Sequence, residues 1–275
     1  MTHDTLQSFM LPKMPVRGAI VRLKSSLQTI ISQHQYPVMI NQLMGETLAS
    51  MLLITNQIKW KGRFVLQFQG SGALSMLVAR MNDQRGISAM AKWSDPLPQD
   101  AKELLAKGQL QTSLIHEKND PQQSIIPIHP LGIAESLENY FTLSEQIPSK
   151  IWLSGNESEV NGLLLQAMPS AEKSFNLDLF IQTLEEQHIH FDQDNTTLLS
   201  ALMREHDCQL FEEKPVQFFC GCSLEKMRSA LFSMGEEVVN ETLKEHSFVD
   251  VHCDFCGKSN HFGPEDVRDI FHNQD

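Results

Sequence analysis

Four of the chain's five cysteines are grouped in two close pairs, Cys220-Gly221-Cys222 and Cys253-Asp254-Phe255-Cys256, with thirty residues between them. Zn²⁺ takes four ligands tetrahedrally, at about 2.3 Å per thiolate, and two pairs brought together by a folded spacer supply that shell with little further loss of chain entropy. The spacing therefore predicts one Zn²⁺ per chain, held by Cys220, Cys222, Cys253 and Cys256. The spacer has the signals such a fold needs. Ser223 is placed to cap a helix bearing Leu224, Met227, Ala230, Leu231 and Met234, and Gly235 to stop it. A second helical stretch over 236–245 and an extended one over 248–252 return the chain to the second pair, and Gly263-Pro264 opens a last helix with Val267, Ile270 and Phe271. Large apolar residues are few here, so the metal is expected to hold the module together. Structural zinc supplies roughly 10–16 kcal/mol of apparent folding free energy.

A closed four-thiolate shell leaves no position for a reacting water, which argues against zinc hydrolysis. Such a shell serves either as a structural knot or as a sensor. Cys-x-x-Cys is a spacing at which oxidation closes a disulfide locally, and Cys-x-Cys closes a smaller, more strained one. Zinc keeps the sulfurs as thiolates, the oxidisable form. Their oxidation would remove a contribution larger than the whole stability of a small domain. His252 and His261 flank the second pair, yet four cysteines already complete the shell. Cys208 stands apart in an acidic stretch and is expected to be a partly buried, unreactive thiol, while His188 and His190 are expected at a helix end or turn.

The net charge of -12 is concentrated at one end: +1 over residues 1–169, -7 over 170–219 and -6 over 220–275. A zinc module this acidic is repelled by phosphate backbones, so no nucleic acid is expected as a partner. The first thirty residues lack a signal-peptide core, and no run approaches the ~18 apolar residues of a membrane span. The expectation is a cytoplasmic protein without a membrane partner, in a compartment where grouped cysteines bind metal or sense oxidants. No Walker loop, Gly-x-Ser-x-Gly elbow, dinucleotide fingerprint or His-Glu-x-x-His is found, so neither a nucleotide site nor an enzyme is expected.

Upstream, Leu23, Leu27, Ile30 and Ile31 recur at helical spacing, Pro37 interrupts, and Met39, Ile40, Leu43, Met44, Leu48 and Met51 resume it. From Arg63 the period becomes two. Strands over 63–69, 74–78, 87–93, 110–115 and 125–128 suggest an antiparallel, meander-type sheet. A helix over 134–144 and strands over 151–153 and 162–168 follow. Helices and strands segregate, so the class is α+β. Met168-Pro169-Ser170 marks a boundary, giving domains 1–169, 170–219 and 220–275.

The middle segment, 171–219, has no glycine and one proline, which excludes a flexible tether. Leu177, Phe180, Ile181 and Leu184 fall at i, i+3, i+4 and i+7, as do Leu199, Leu202, Met203 and His206 after the candidate caps Thr196 and Thr197. Two such short helices are marginal alone and need a docking surface. Their apolar faces must be covered, and the thirteen methionines, Met39, Met44 and Met51 among them, suit either core packing or an adaptable surface.

The chain resembles the bacterial redox-regulated holdase chaperones known as the 33 kDa heat shock protein or 33 kDa chaperonin. The resemblance is carried by Phe218-Phe219-Cys220-Gly221-Cys222-Ser223 and Cys253–Gly257, by Tyr36-Pro37 with Leu43-Met44-Gly45-Glu46, by Leu66–Gly72, and by Leu137–Phe141 with Ser144–Pro148. It implies an amino-terminal α+β chaperone domain, a metastable linker and a zinc redox-switch domain. It also implies ATP-independent binding of unfolding clients after oxidation, disulfides Cys220–Cys222 and Cys253–Cys256, zinc release, and an active homodimer, which makes Leu177, Phe180, Ile181, Leu184, Leu199, Leu202 and Met203 the candidate client contacts. The family commonly has tyrosine where this chain has Asn260, which implies looser packing beside the zinc. Two other functions fit the cysteines: a thiol–disulfide oxidoreductase using Cys253 and Cys256, and a structural zinc adaptor.

Overall fold

β1 (Thr5–Leu11) and β2 (Val16–Leu23) form an antiparallel hairpin in a stretch whose pattern predicts no strand. Burial on both faces is the reason. Ala19, Val21 and Leu23 enter one apolar cluster while Val16 and Ile20 enter another on the opposite face, so the alternation that marks a strand is lost. Gly18 has no room for a side chain, because a Cβ would stand 2.2 Å from the Phe9 ring and 2.5 Å from the Leu164 carbonyl oxygen. The structure is a computed structural model, and it describes every residue except 1–3, 57, 59, 117–119, 170–175, 188, 205 and 273–275.

The helices expected around Pro37 are α1 (Ser25–Ser32) and α2 (Val38–Thr55). By length and composition α2 could cross a membrane. Here it is a core helix, with Leu43, Met44, Leu48, Met51 and Leu52 buried between two sheets. β3 (Arg63–Gly70), β4 (Leu74–Asn82) and β5 (Gly86–Trp93) run as a meander, as expected. The next strand departs from it. After α3 (Ala101–Leu105), capped by Asp100 and burying Leu104 and Leu105, β6 (Gly108–Ile115) pairs with β3 instead of β5, and β7 (Gln122–Pro127) pairs with β6. α3 carries the chain from one edge of the sheet to the other. α4 (Ile133–Leu143), β8 (Ser149–Gly155) and β9 (Val160–Ala167) follow, and β9 returns to β2.

The start of the expected linker, 170–175, lies outside the described residues. Beyond it stand the two expected helices, α5 (Leu177–Glu185) and α6 (Asn195–Met203). α6 is capped by Asp194, whose carboxylate accepts from the N–H groups of Thr196 and Thr197; these two are the cap's donors and not the caps, and His206 lies past the helix end. The segment is not helical throughout: β10 (Gln209–Pro215) pairs antiparallel with β1, and β11 (Gln217–Phe218) pairs parallel with β5. β10 is charged and mostly exposed, as edge strands are, so it carries no alternation to find.

The sheets are therefore β10-β1-β2-β9-β8 and β11-β5-β4-β3-β6-β7, and the class is α+β. The first sheet is covered by α2 on one face and by α5 and α6 on the other. The chain divides into two compact units, Met1–Phe218 and Phe219–Asp275.

Candidate metal centre

The second unit is built from α7 (Leu224–Met234), α8 (Glu236–His246), β12 (Val249–His252), β13 (Ser259–Phe262) and α9 (Pro264–His272). Ser223 caps α7, accepting from the Lys226 N–H at 3.2 Å, and Gly235 ends it at φ +91°. Among the described residues the apolar core has seven buried members: Met227, Leu231, Val239, Val249, Phe262, Val267 and Ile270. One of them, Phe262, comes from β13, which sequence pattern does not reveal. Its four residues alternate with only one buried side chain.

Cys220 and Cys222 approach on the extended chain before α7. Cys253 and Cys256 sit in the β12–β13 turn, closed by Cys253 N–H to the Lys258 carbonyl at 2.9 Å and Gly257 N–H to the Cys253 carbonyl at 2.8 Å, with Gly257 at φ +65°. The four Sγ atoms lie within 4.8 Å of one another, with Cys220 to Cys253 at 3.6 Å and Cys222 to Cys256 at 3.4 Å. Four sulfurs at ~2.3 Å from one tetrahedral ion stand about 3.8 Å apart, so these four close cysteines could hold a metal ion and their spacing suits zinc. Burial pushes the Cys220, Cys222 and Cys256 thiols up. At Cys253 burial also acts upward, but hydrogen bonds from the backbone N–H groups of Phe255 and Cys256 and from the Cys220 and Cys256 thiols together outweigh it, and the net shift is down.

Neither flanking histidine is in the cluster. His252 Nδ1 meets Ser259 Oγ at 2.7 Å, and His261 pairs with Asp250. Asn260 fills the departure from the family pattern by donating its amide to Met227 Sδ at 2.8 Å. His190 is exposed beyond α5, while His188 lies outside the described residues.

The candidate client contacts are all turned inward in this state. Leu177, Phe180, Leu184, Leu199, Leu202 and Met203 are buried, and Ile181 is half-buried, against Phe9, Leu11, Val16, Ile20, Leu163 and Leu165 of the first sheet. A polar clasp that sequence reading missed accompanies them. The Arg22 guanidinium on β2 donates Nε to Asn195 Oδ1 at 2.7 Å, Nη1 to the Phe191 carbonyl at 2.7 Å, and Nη2 to the Gln193 carbonyl, while Asn195 donates to Gln7 Oε1 at 2.8 Å. An arginine in a strand gives no sequence signal that its partners lie some 170 residues on.

Cys208 packs beside the same cluster, and burial pushes its thiol up to about 11. At neutral pH its thiolate is roughly a hundredfold scarcer than that of an exposed cysteine. Iodoacetamide is therefore expected to label Cys208 slowly in the reduced folded chain and at the rate of a free thiol in urea, as read by peptide mass mapping. Equal rates in the two conditions would contradict the burial.

A family model described as Hsp33 protein matches residues 4–263. The chain is 32% identical over 277 residues to the 33 kDa chaperonin of Nitrosococcus oceani, covering 99% of this chain and 96% of the relative. It is 34% identical over 277 residues to that of Methylobacillus flagellatus, covering 98% and 94%. The crystal structure of the 33 kDa chaperonin (heat shock protein 33 homolog) of Thermotoga maritima superposes with a TM-score of 0.85 over 98% of both chains, at 19% identity. At that identity the likeness is one of fold.

Proposed function

The chain belongs to the Hsp33 family, a family of chaperones and not of enzymes, and from that premise we propose that it is a cytoplasmic, ATP-independent holdase switched on by oxidation. The observation that carries the reading is the convergence of four sulfurs within 4.8 Å in a unit with a seven-residue apolar core. Zn²⁺ held by Cys220, Cys222, Cys253 and Cys256 would tie the chain before α7 to the β12–β13 turn and keep the sulfurs as thiolates.

In each oxidation two thiols lose two electrons and two protons to a peroxide, which leaves as two waters, and one S–S bond forms. Paired as Cys220–Cys222 and Cys253–Cys256, the four sulfurs have no thiolate left to offer a cation. Cys220 lies two residues along the chain from Phe218, where β11 ends. Loss of order at the cysteines frees that end of a segment whose two nine-residue helices cannot hold themselves. The buried faces at Leu177–Leu184 and Leu199–Met203 would then be free to bind unfolding proteins, with the active form a homodimer.

The test is oxidation of the purified, zinc-loaded chain with peroxide under mild heat. Zinc release to a chromogenic chelator, the two disulfides by peptide mapping, and suppression of client aggregation without ATP are expected together. Equal protection by reduced and oxidised chains would sink the switch, and zinc retained through oxidation would favour a structural adaptor. An oxidoreductase is not favoured, because Cys253 and Cys256 sit in a hairpin turn and not at a helix start.

A further inference from the structure

Between the two sheets of the first unit, apart from everything assigned to the switch, lies a cavity of about 260 Å³. Its walls are mostly apolar, with Ile54, Phe64, Leu137 and Phe141 among them, and Arg17 enters it from β2. Arg17 is half-buried; among the described residues its buried Nε has no hydrogen-bond partner, while its Nη2 donates to the neutral Gln166 Oε1 at 3.1 Å. Burial pushes this guanidinium below its usual range. Among the described lining residues the one carboxylate is Glu145, and it accepts the Tyr140 hydroxyl proton at 2.6 Å. A half-buried cation in a mostly apolar wall, hydrogen-bonded among the described residues to a neutral amide and to no carboxylate, is an arrangement that an anion would relieve.

We propose that this cavity binds a short amphiphilic carboxylate, its head on the Arg17 guanidinium and its alkyl chain along the apolar wall. Charge-assisted hydrogen bonds from a guanidinium suit a carboxylate, and an inorganic anion would leave the apolar walls unfilled. Size restricts the tail. A ~150 Å³ apolar cavity takes benzene and drug-sized ligands need upwards of ~300 Å³, so this one takes a chain of about eight carbons.

The experiment titrates the reduced, zinc-loaded full chain with sodium octanoate and, separately, with 1-octanol, following methyl shifts by NMR. Saturable octanoate binding is expected, at least tenfold tighter than the alcohol, which has the same tail and no charge. Arg17→Gln is expected to abolish that preference, and Thr112→Phe, which narrows the cavity and keeps the guanidinium, to weaken octanoate at least tenfold. No saturable binding, or alcohol and acid binding alike, would overturn the proposal. So would octanoate binding unaffected by Thr112→Phe. The comparison of acid with alcohol uses the unaltered chain, so it decides even if Arg17→Gln fails to fold.

Discussion

Serine at both Cys253 and Cys256 is expected to leave Phe219–Asp275 without zinc and unfolded, while Met1–Phe218 keeps its sheets. The size of the effect follows from what else holds the second unit. Among the described residues its core has seven buried apolar side chains, too few to hold a unit of 57 residues firmly by burial alone. Roughly 10–16 kcal/mol from a four-thiolate zinc therefore decides whether the unit is folded. Two remaining thiolates, on Cys220 and Cys222, cannot close a tetrahedral shell. Metal analysis should give less than a tenth of a zinc per chain, and amide hydrogen exchange should show α7 and α8 unprotected, as should the unaltered chain stripped by a strong chelator. A variant that kept full zinc and native exchange would mean that the metal is held elsewhere or that the core suffices alone.

The cysteine cluster was legible because its information is local: residue type and spacing pick out the four thiols that the fold brings together, and the capping Ser223 and the stop at Gly235 fix the helix between the pairs. α2, α4, α5 and β3 to β5 were legible for the same reason, each having a clear period. The remainder fails in two identifiable ways. β1 and β2 are covered on both faces, so Leu6 and Phe9 fall three apart and Ile20 and Val21 adjoin, without the alternation of a half-buried strand. β10 has the opposite trouble, as an exposed, charged edge whose only structural statement is its partner β1, some two hundred residues earlier. Sequence pattern reports burial and does not report which distant strand supplies it. The same limit hides the Arg22 clasp, whose donors and acceptors join only when β2 meets the loop before α6. The two helices of the 170–219 segment were thus predictable, while the pairing of its last stretch with both sheets, through β10 and β11, was not.

That weaving sets the second large effect: Leu199→Asp is expected to give a chain that protects clients while fully reduced. Leu199 is 1% exposed on α6, facing Phe9, Ile20 and Leu165 of the first sheet. Truncating such a leucine costs about 2–5 kcal/mol, and an unpaired carboxylate in its place adds several more. α6 has nine residues and no stability of its own to oppose this. The first sheet has a second apolar cluster on its other face, against α2, so α5 and α6 should leave without dissolving it. Arg22→Ala should act in the same direction more weakly, since it removes three hydrogen bonds to the 191–195 loop worth about 0.5–1.5 kcal/mol each. Leu179→Asp is the control on the same segment: that side chain is 61% exposed, and the change should leave the reduced chain inactive. Client light scattering in excess reductant, with hydrogen exchange across 177–203, separates the outcomes. If Leu199→Asp frees both helices and clients still aggregate, the uncovered sheet and helix faces are not the binding surface, and oxidation must do more than undock them.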